Sequence, residues 1–215
     1  RASGFCYFND VSTCIFKLKE LGFKKILYFD MDAHYGDGVV EAFMKDKNTM
    51  TISIHQKNLW PRTGSFLFDR VNNVYNIPIK EGFSDFDFKQ LIEDELLILI
   101  RKFKPDVGIL LMGTDSLKGD PMSNINLSNN SMRWLIKIMK LNIEKIIVTG
   151  GGGYNPWLLA RAWTNNLLEL ISINKKKINY ETKSILSNIC WIRAKKGMPY
   201  LNWINSLKDE PNIFK

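Results

Sequence analysis

Short apolar runs alternate along the chain with longer stretches in which apolar residues recur every three or four positions, which predicts strands separated by helices. Residues 26–30 and 107–112 are continuous apolar runs, as expected of strands covered on both faces. Residues 50–55 alternate, with Thr51, Ser53 and His55 set against Ile52 and Ile54. A short strand is predicted at 74–79, before Pro78 and Gly82 turn the chain, and another at 146–149, running into glycines. Helical spacing covers 11–21, stopped by Gly22; 38–45; 85–103, ended by Pro105; 129–140, capped by Ser128 or Asn129; and 157–171, with Pro156 in its first turn. This order implies βαβ units, so the expected fold is α/β with a mainly parallel central sheet flanked by helices. Residues 173–215 are less regular, and Trp191, Tyr200, Trp203 and Ile204 are expected to pack back on the body.

The chemistry-bearing residues collect where strands end. Residues 26–30 lead directly into Asp30-Met31-Asp32-Ala33-His34-Tyr35-Gly36-Asp37-Gly38. Open α/β sheets bind ligands at the carboxyl ends of their strands. Side chains alternate along extended chain, so Asp30, Asp32 and His34 are expected to point the same way. A carboxylate and an imidazole two residues apart suit a divalent metal, zinc above all, whereas a lone Asp-x-Asp would read as a solvated turn. The strand at 107–112 ends in Gly113-Thr114-Asp115-Ser116. An Asp in such a turn commonly forms an Asx-turn. Combined with Asp32 and His34, it completes an Asp-His-Asp set with open coordination positions, as catalytic zinc requires. A third strand runs into Gly150-Gly151-Gly152-Gly153-Tyr154. The run lacks the Lys-Ser/Thr of a phosphate-binding Walker loop. Its other use is close backbone approach that presents Tyr154 to a pocket. His55 alone reads as structural.

Four blocks carry a resemblance. They are Gly4-Phe5-Cys6-Tyr7-Phe8-Asn9-Asp10; Asp30 to Gly38; Gly113-Thr114-Asp115-Ser116 with Gly119-Asp120-Pro121; and the glycine run with Tyr154. Trp60-Pro61-Arg62-Thr63-Gly64 is a weaker fifth. In this order the chain resembles the zinc-dependent histone deacetylase superfamily, most closely its bacterial acetoin-utilization-type branch. The resemblance implies an arginase–deacetylase type of fold and a hydrolase that removes acetyl or a short acyl group from lysine side chains, releasing acetate. The alternatives are an acetylpolyamine deacetylase and a non-catalytic acetyl-lysine binder. It implies zinc on Asp32, His34 and Asp115, and Tyr154 as donor to the oxyanion. It gives Asp30 and Asp37 as partners of a His-His general base and acid pair expected just upstream of Arg1. The 215 residues are then one catalytic-domain fragment, expected to be inactive by itself. Gly4, Phe5, Trp60, Met122 and Gly152 are implied to line a narrow channel for an acylated lysine or acetylated small amine. Asp30, Asp32, His34, Ser53 and Ile54 are implied to hold a monovalent cation, potassium. Two positions depart from the family. Tyr35 stands where a second histidine is usual, which is expected to alter packing, and Arg62 stands where many relatives have glycine, at the pocket rim.

Composition adds exclusions. At 215 residues and 45% hydrophobic, the chain is long enough for one sizeable core. The net charge of +8 would suit nucleic acid. Its lysines are dispersed, however, densest at Lys175-Lys176-Lys177, and Lys, Asn and Ile abound together as in AT-rich genomes. No arginine-rich or aromatic-interleaved stripe is present, so no nucleic-acid partner is expected. No apolar run reaches the roughly 18 residues of a membrane span. Cys6, Cys14 and Cys190 form no metal spacing and read as reduced thiols of a cytoplasmic protein.

Overall fold

The computed structural model describes residues 2–173, 178–189 and 200–214; Arg1, the Lys175-Lys176-Lys177 run, Cys190, Trp191 and Lys215 lie outside them. The elements in chain order are α1 (Asp10–Glu20), β1 (Ile26–Asp30), α2 (Asp37–Phe43), β2 (Thr49–Gln56), β3 (Leu67–Asp69), β4 (Val74–Ile79), α3 (Asp85–Leu91), α4 (Leu97–Phe103), β5 (Val107–Met112), α5 (Asn129–Asn142), β6 (Ile146–Gly150), α6 (Pro156–Leu170), α7 (Tyr180–Asn188) and α8 (Leu201–Asn205). The fold is α/β as expected: a six-stranded sheet in the order β3-β4-β2-β1-β5-β6. Every pairing is parallel except β3 with β4. The short edge strand β3 carries no recognisable pattern in the sequence.

Alternation along the strands divides the core. Leu27 and Phe29 of β1 face the larger cluster, which holds Leu110, Phe88, Leu96, Leu135 and Trp157. Ile26 and Tyr28 face the smaller one with Val11, Ile15, Val39 and Phe43 from α1 and α2. Both faces of β1 are therefore covered, which is why it reads as a continuous apolar run. β2 is buried along its whole length despite its polar alternate residues, because helices and loops cover both sides.

Residues 85–103 depart from the single regular helix that the sequence predicts: a π-helical turn, Ile92–Leu96, separates α3 from α4. Phe88, Ile92, Leu96 and Ile100 recur every fourth residue and none is exposed. In an unbroken α-helix such a stripe winds about 40° per step around the axis. The wider π turn takes up that drift and keeps all four on the core.

Of the described C-terminal residues only part packs on the body: no residue of α7 is buried and Tyr200 is 65% exposed. Trp203 is buried, with Tyr200 edge-on to it at 4.7 Å, and Ile204 is half-buried. Arg161 on α6 donates from Nε to the Ser206 carbonyl at 2.8 Å, and its guanidinium lies 2.8 Å from the Asp209 carboxylate. Asn129 and Asn130 at the start of α5 donate to the carbonyls of Leu207 and Asp209.

The strand order also locates the site. From β1 the chain moves to β2 on one side, and β5 later joins on the other side. Loops leaving β1 and β5 diverge at this switch point, opening a crevice at the strand ends.

Replacing Leu96, fully buried in the middle of the four-residue stripe, tests this packing. Leu96→Ala is expected to lower unfolding free energy by about 2–5 kcal/mol in a denaturant titration. An unchanged midpoint would contradict the buried π turn.

Candidate metal centre

Two parallel neighbours deliver the ligand types. β1 and β5 pair in register, with Phe29 opposite Leu110 and Asp30 opposite Leu111. Met31 N–H then donates to the Leu111 carbonyl at 3.1 Å, so the first residue past β1 is still fastened to β5. Beyond it Asp32 and His34 meet Asp115, which lies in the 3₁₀ turn Thr114–Ser116 after β5. One ligand atom from each of the three lies within 4.8 Å of the other two. His34 Nδ1 is 3.0 Å from Asp32 Oδ1 and 3.0 Å from Asp115 Oδ2.

Backbone N–H groups also hold the carboxylate oxygens. Ala33 N–H donates to Asp115 Oδ1 at 2.9 Å, and His34 N–H donates to Asp32 Oδ1 at 2.8 Å. Gly152 N–H donates to Asp32 Oδ2, while Thr114 N–H donates to the Gly152 carbonyl at 2.7 Å. The glycine loop after β6 is thus pinned to both strand ends. A side chain at Gly152 would collide with the Asp115 carboxylate, and one at Gly113 would meet the Asp32 backbone. Close approach, not phosphate cradling, explains these glycines.

Electrostatics fit a cation. Burial and then the charge of Asp32 push Asp115 up to about 7, against the bond from His34. Burial opposes charge on His34, but its bonds to Asp115 and Asp32, and their negative charge, win and raise it to about 10. Burial also works against ionised Asp32, yet hydrogen bonds from the His34 ring, the His34 backbone and Gly152 hold it below the usual carboxylate range. Two buried carboxylates around one imidazole nitrogen form a hard and borderline donor set short of positive charge, which suits a divalent ion such as zinc.

Asp30 does not join this group, contrary to the expected common direction of Asp30, Asp32 and His34. Regular alternation ends with β1. Asp30 stays on the Tyr28 side of the sheet, where the Tyr28 hydroxyl donates to Oδ2 at 2.6 Å and Asp32 N–H donates to Oδ1 at 2.9 Å. Burial and the charge of Asp32 raise its pKa well above the ordinary value. Asp37 opens α2 and accepts from Gly38 N–H at 2.8 Å. Ser53 pairs in register with Asp30, and its Oγ accepts from Gly36 N–H at 3.4 Å. The Ile54 side chain lies in the larger core, so only its backbone is available to a cation.

The rim residues gather around the same crevice. The Phe5 ring is 6.3 Å from that of Tyr154, and the Trp60 ring is 6.3 Å from that of His34. A side chain at Gly4 would press on Trp60. Phe5 is 87% exposed, Trp60 46% and Met122 41%, so these side chains stand open to solvent. Burial, then the charges of Asp115, Asp32 and Asp120, raise the Tyr154 phenol to about 12. Tyr35 has a packing role: its ring lies 4.8 Å from that of His55, and its hydroxyl accepts from Asn76 Nδ2 at 3.0 Å. The His55 Nε2 is 2.9 Å from the Gly64 carbonyl and its Nδ1 is 3.2 Å from Ser53 Oγ, a buried structural position. Arg62 has φ 64°, in the left-handed region that glycine occupies at little cost. The roles of Tyr28 and Asn155 leave no distinctive mark in the sequence, and Asp120 stands out there only as part of a motif block. Their signals, a Tyr two residues before a strand-end Asp and an Asn before Pro156, are too common to stand out.

Comparison with known proteins follows the same residues. The profile of the family described as "Histone deacetylase domain" matches residues 1–170. Histone deacetylase HOS1 of Saccharomyces cerevisiae is 41% identical over 170 residues, covering 76% of this chain and 36% of that protein. Histone deacetylase 8 of Xenopus laevis is 36% identical over 169 residues, covering 76% of this chain and 52% of that protein. The chain thus spans between 36% and 52% of the length of these two relatives. The crystal structure of an HDAC homolog from Aquifex aeolicus superposes with a TM-score of 0.86 at 35% identity, covering 97% of this chain and 58% of that one. An HDAC homolog complexed with SAHA also gives 0.86, at 34% identity and the same coverage.

Two outcomes test the centre. Elemental analysis of the purified protein is expected to find one divalent ion per chain, lost in Asp115→Ala; undiminished metal in that variant would refute the ligand set. The second concerns pH. With His34 at about 10 in the metal-free chain, binding must displace its proton throughout the neutral range. Apparent zinc affinity, measured against a chelator, is therefore expected to rise about 10²-fold or more from pH 6 to pH 8. A flat affinity would show that no proton is displaced from His34 on binding, against its raised pKa.

Proposed function

The chain belongs to the histone deacetylase domain family, and from that premise we propose that it is the metal-binding part of a zinc-dependent amidohydrolase that removes acetyl or a short acyl group from lysine side chains. The observation that carries this reading is the convergence of Asp32, His34 and Asp115 beside Tyr154. Asp32, His34 and Asp115 would hold the zinc, which when bound would supply Lewis-acid polarisation of an amide carbonyl and acidification of a water near neutral pH.

The chain's own residues supply the rest. A phenol at about 12 keeps its proton at neutral pH, so Tyr154 donates a hydrogen bond to the carbonyl oxygen as negative charge develops there. Phe5 and Trp60 flank the entrance and grip the methylene stem of the acylated lysine, with Met122, Gly4 and Gly152 completing the channel. That an HDAC homolog of the same fold is described as complexed with SAHA supports a ligand-binding reading of this chain. Asp30 and Asp37 are read as the carboxylates that orient a base and an acid imidazole. Neither imidazole belongs to these 215 residues, because His34 is in the metal set and His55 is tied to Gly64 and Ser53. The region around Asp30, Asp32, His34, Ser53 and Ile54 is read as the potassium site. The match to the motif blocks supports the acetoin-utilization-type branch, and scattered thiols support a cytoplasmic location. Among the described residues no helix is long and apolar enough to cross a membrane.

The test assays this chain beside a longer protein that includes a His-His pair, on an acetyl-lysine peptide and an acetylpolyamine. The longer protein is expected to hydrolyse the peptide with release of acetate. General acid–base catalysis contributes about 10²–10⁴-fold, so the 215-residue chain is expected to be slower by at least that factor. Tyr154→Phe in the longer protein is expected to lower kcat about 10²–10³-fold with little change in KM. Peptide binding without turnover in the longer protein would refute the hydrolase reading, and preference for the polyamine would change the substrate class.

A further inference from the structure

The block Gly119-Asp120-Pro121 lies between the Asp115 turn and Met122, and its carboxylate joins two loops that leave different strands. Asp120 is only 1% exposed. Its Oδ2 accepts from Tyr154 N–H at 2.7 Å and from Asn155 N–H at 3.1 Å. Its Oδ1 accepts from Met122 N–H at 2.9 Å. One buried side chain thus fixes the backbone of the phenol-bearing residue and that of a channel residue at once.

We propose that Asp120 is a positioning residue for Tyr154: its carboxylate sets the depth and direction of the phenol relative to the Asp32, His34 and Asp115 centre. The proposal rests on the reading of Tyr154 as oxyanion donor. Three N–H groups converge on Asp120, and an ionised carboxylate offers acceptors only, on both oxygens. An Asn of the same shape must turn an NH₂ donor toward one set of N–H groups, so it releases either Met122 or the Tyr154–Asn155 pair.

The surroundings keep the clamp from shifting as a unit. Asn155 Nδ2 donates to the Gly119 carbonyl at 3.0 Å, while its Oδ1 caps α6 by accepting from Trp157 N–H and Leu158 N–H. Gly119 has φ 98° and lies flat against the Trp203 ring, where a methyl group would come within 3.2 Å of the indole. Ser123 Oγ donates to the Asp115 carbonyl and ties the far end of the loop to the metal turn. The buried C-terminal tryptophan therefore backs the loop that holds Tyr154. A displacement of about 1 Å at a reacting group can cost about 10²-fold in rate, so small losses of register here matter.

The experiment has two readouts. Amide hydrogen exchange on the zinc-loaded chain compares wild type with Asp120→Asn. Faster exchange is expected at Tyr154, Asn155 or Met122, with the β1 and β5 amides unchanged. Turnover of an acetyl-lysine peptide by the longer protein is then measured for Asp120→Asn, Tyr154→Phe and the double variant. Asp120→Asn is expected to lower kcat about 10–100-fold with KM nearly constant, and the double variant to lose no more than Tyr154→Phe alone, because both act through one phenol. Leu96→Ala supplies the control for general destabilisation and is expected to keep its kcat. Independent, multiplying losses would overturn the proposal, as would unchanged exchange at all three amides. A Tyr154→Phe enzyme with full turnover would overturn it together with the reading of Tyr154. If Asp120→Asn does not fold, Gly119→Ala moves the same loop off Trp203 and is expected to give the same split between kcat and KM; normal kcat there would overturn the proposal.

Discussion

Everything at the head of the sheet is arranged around two carboxylates that share one imidazole nitrogen away from water. Asp115 is fully buried and Asp32 nearly so, and His34 Nδ1 reaches both. Like charges so placed are costly unless a positive charge compensates them. Without a metal the chain does this with a proton, which is why His34 rises to about 10 and Asp115 to about 7. A divalent ion does it better, and the hydrogen bonds from Ala33, His34 and Gly152 aim the oxygens in advance. Such outer contacts orient ligands and tune the ion they bind.

The same constraint accounts for the backbone. Asp32 and Asp115 come from different segments and meet because β1 and β5 are paired directly. The glycine loop must come within hydrogen-bond reach of Asp32 and past Asp115, leaving no room for a side chain at Gly152. Tyr154 follows that loop and so arrives beside the centre. Asp30, the last residue of β1 and two positions before Asp32, belongs to a separate layer with Tyr28 and Ser53. Tyr35 is absorbed in packing: its ring lies tilted against that of His55 and its hydroxyl accepts from Asn76.

Much of this was legible because it depends on local pattern. Strands β1 and β5 have the predicted limits, since buried parallel strands leave continuous apolar runs bounded by turns. The helix caps were legible where Ser128 and Pro156 mark them. The π turn was not: its cause is a four-residue repeat that matters only once one face is buried. β3 was missed because three residues at an edge need no apolar signature. Asp30 departs from the direction that alternation predicts because β1 ends at that residue.

The sequence by itself determined the ligand types, their position after apolar runs, the glycines before Tyr154 and the α/β order, because each follows from side-chain chemistry and periodicities of two and 3.6 residues. It also carried the family resemblance in its motif blocks. Tertiary structure alone decided which acidic residues meet. Asp32 and Asp115 are 83 positions apart and converge because β5 pairs with β1. Asp30, two positions from Asp32, faces elsewhere because the strand ends between them. Asp120 reads as an ordinary turn residue until the fold brings the Tyr154 backbone within 2.7 Å of it. Long-range strand pairing and the closing of one loop on another leave no local periodicity, so such contacts appear only when the chain is folded.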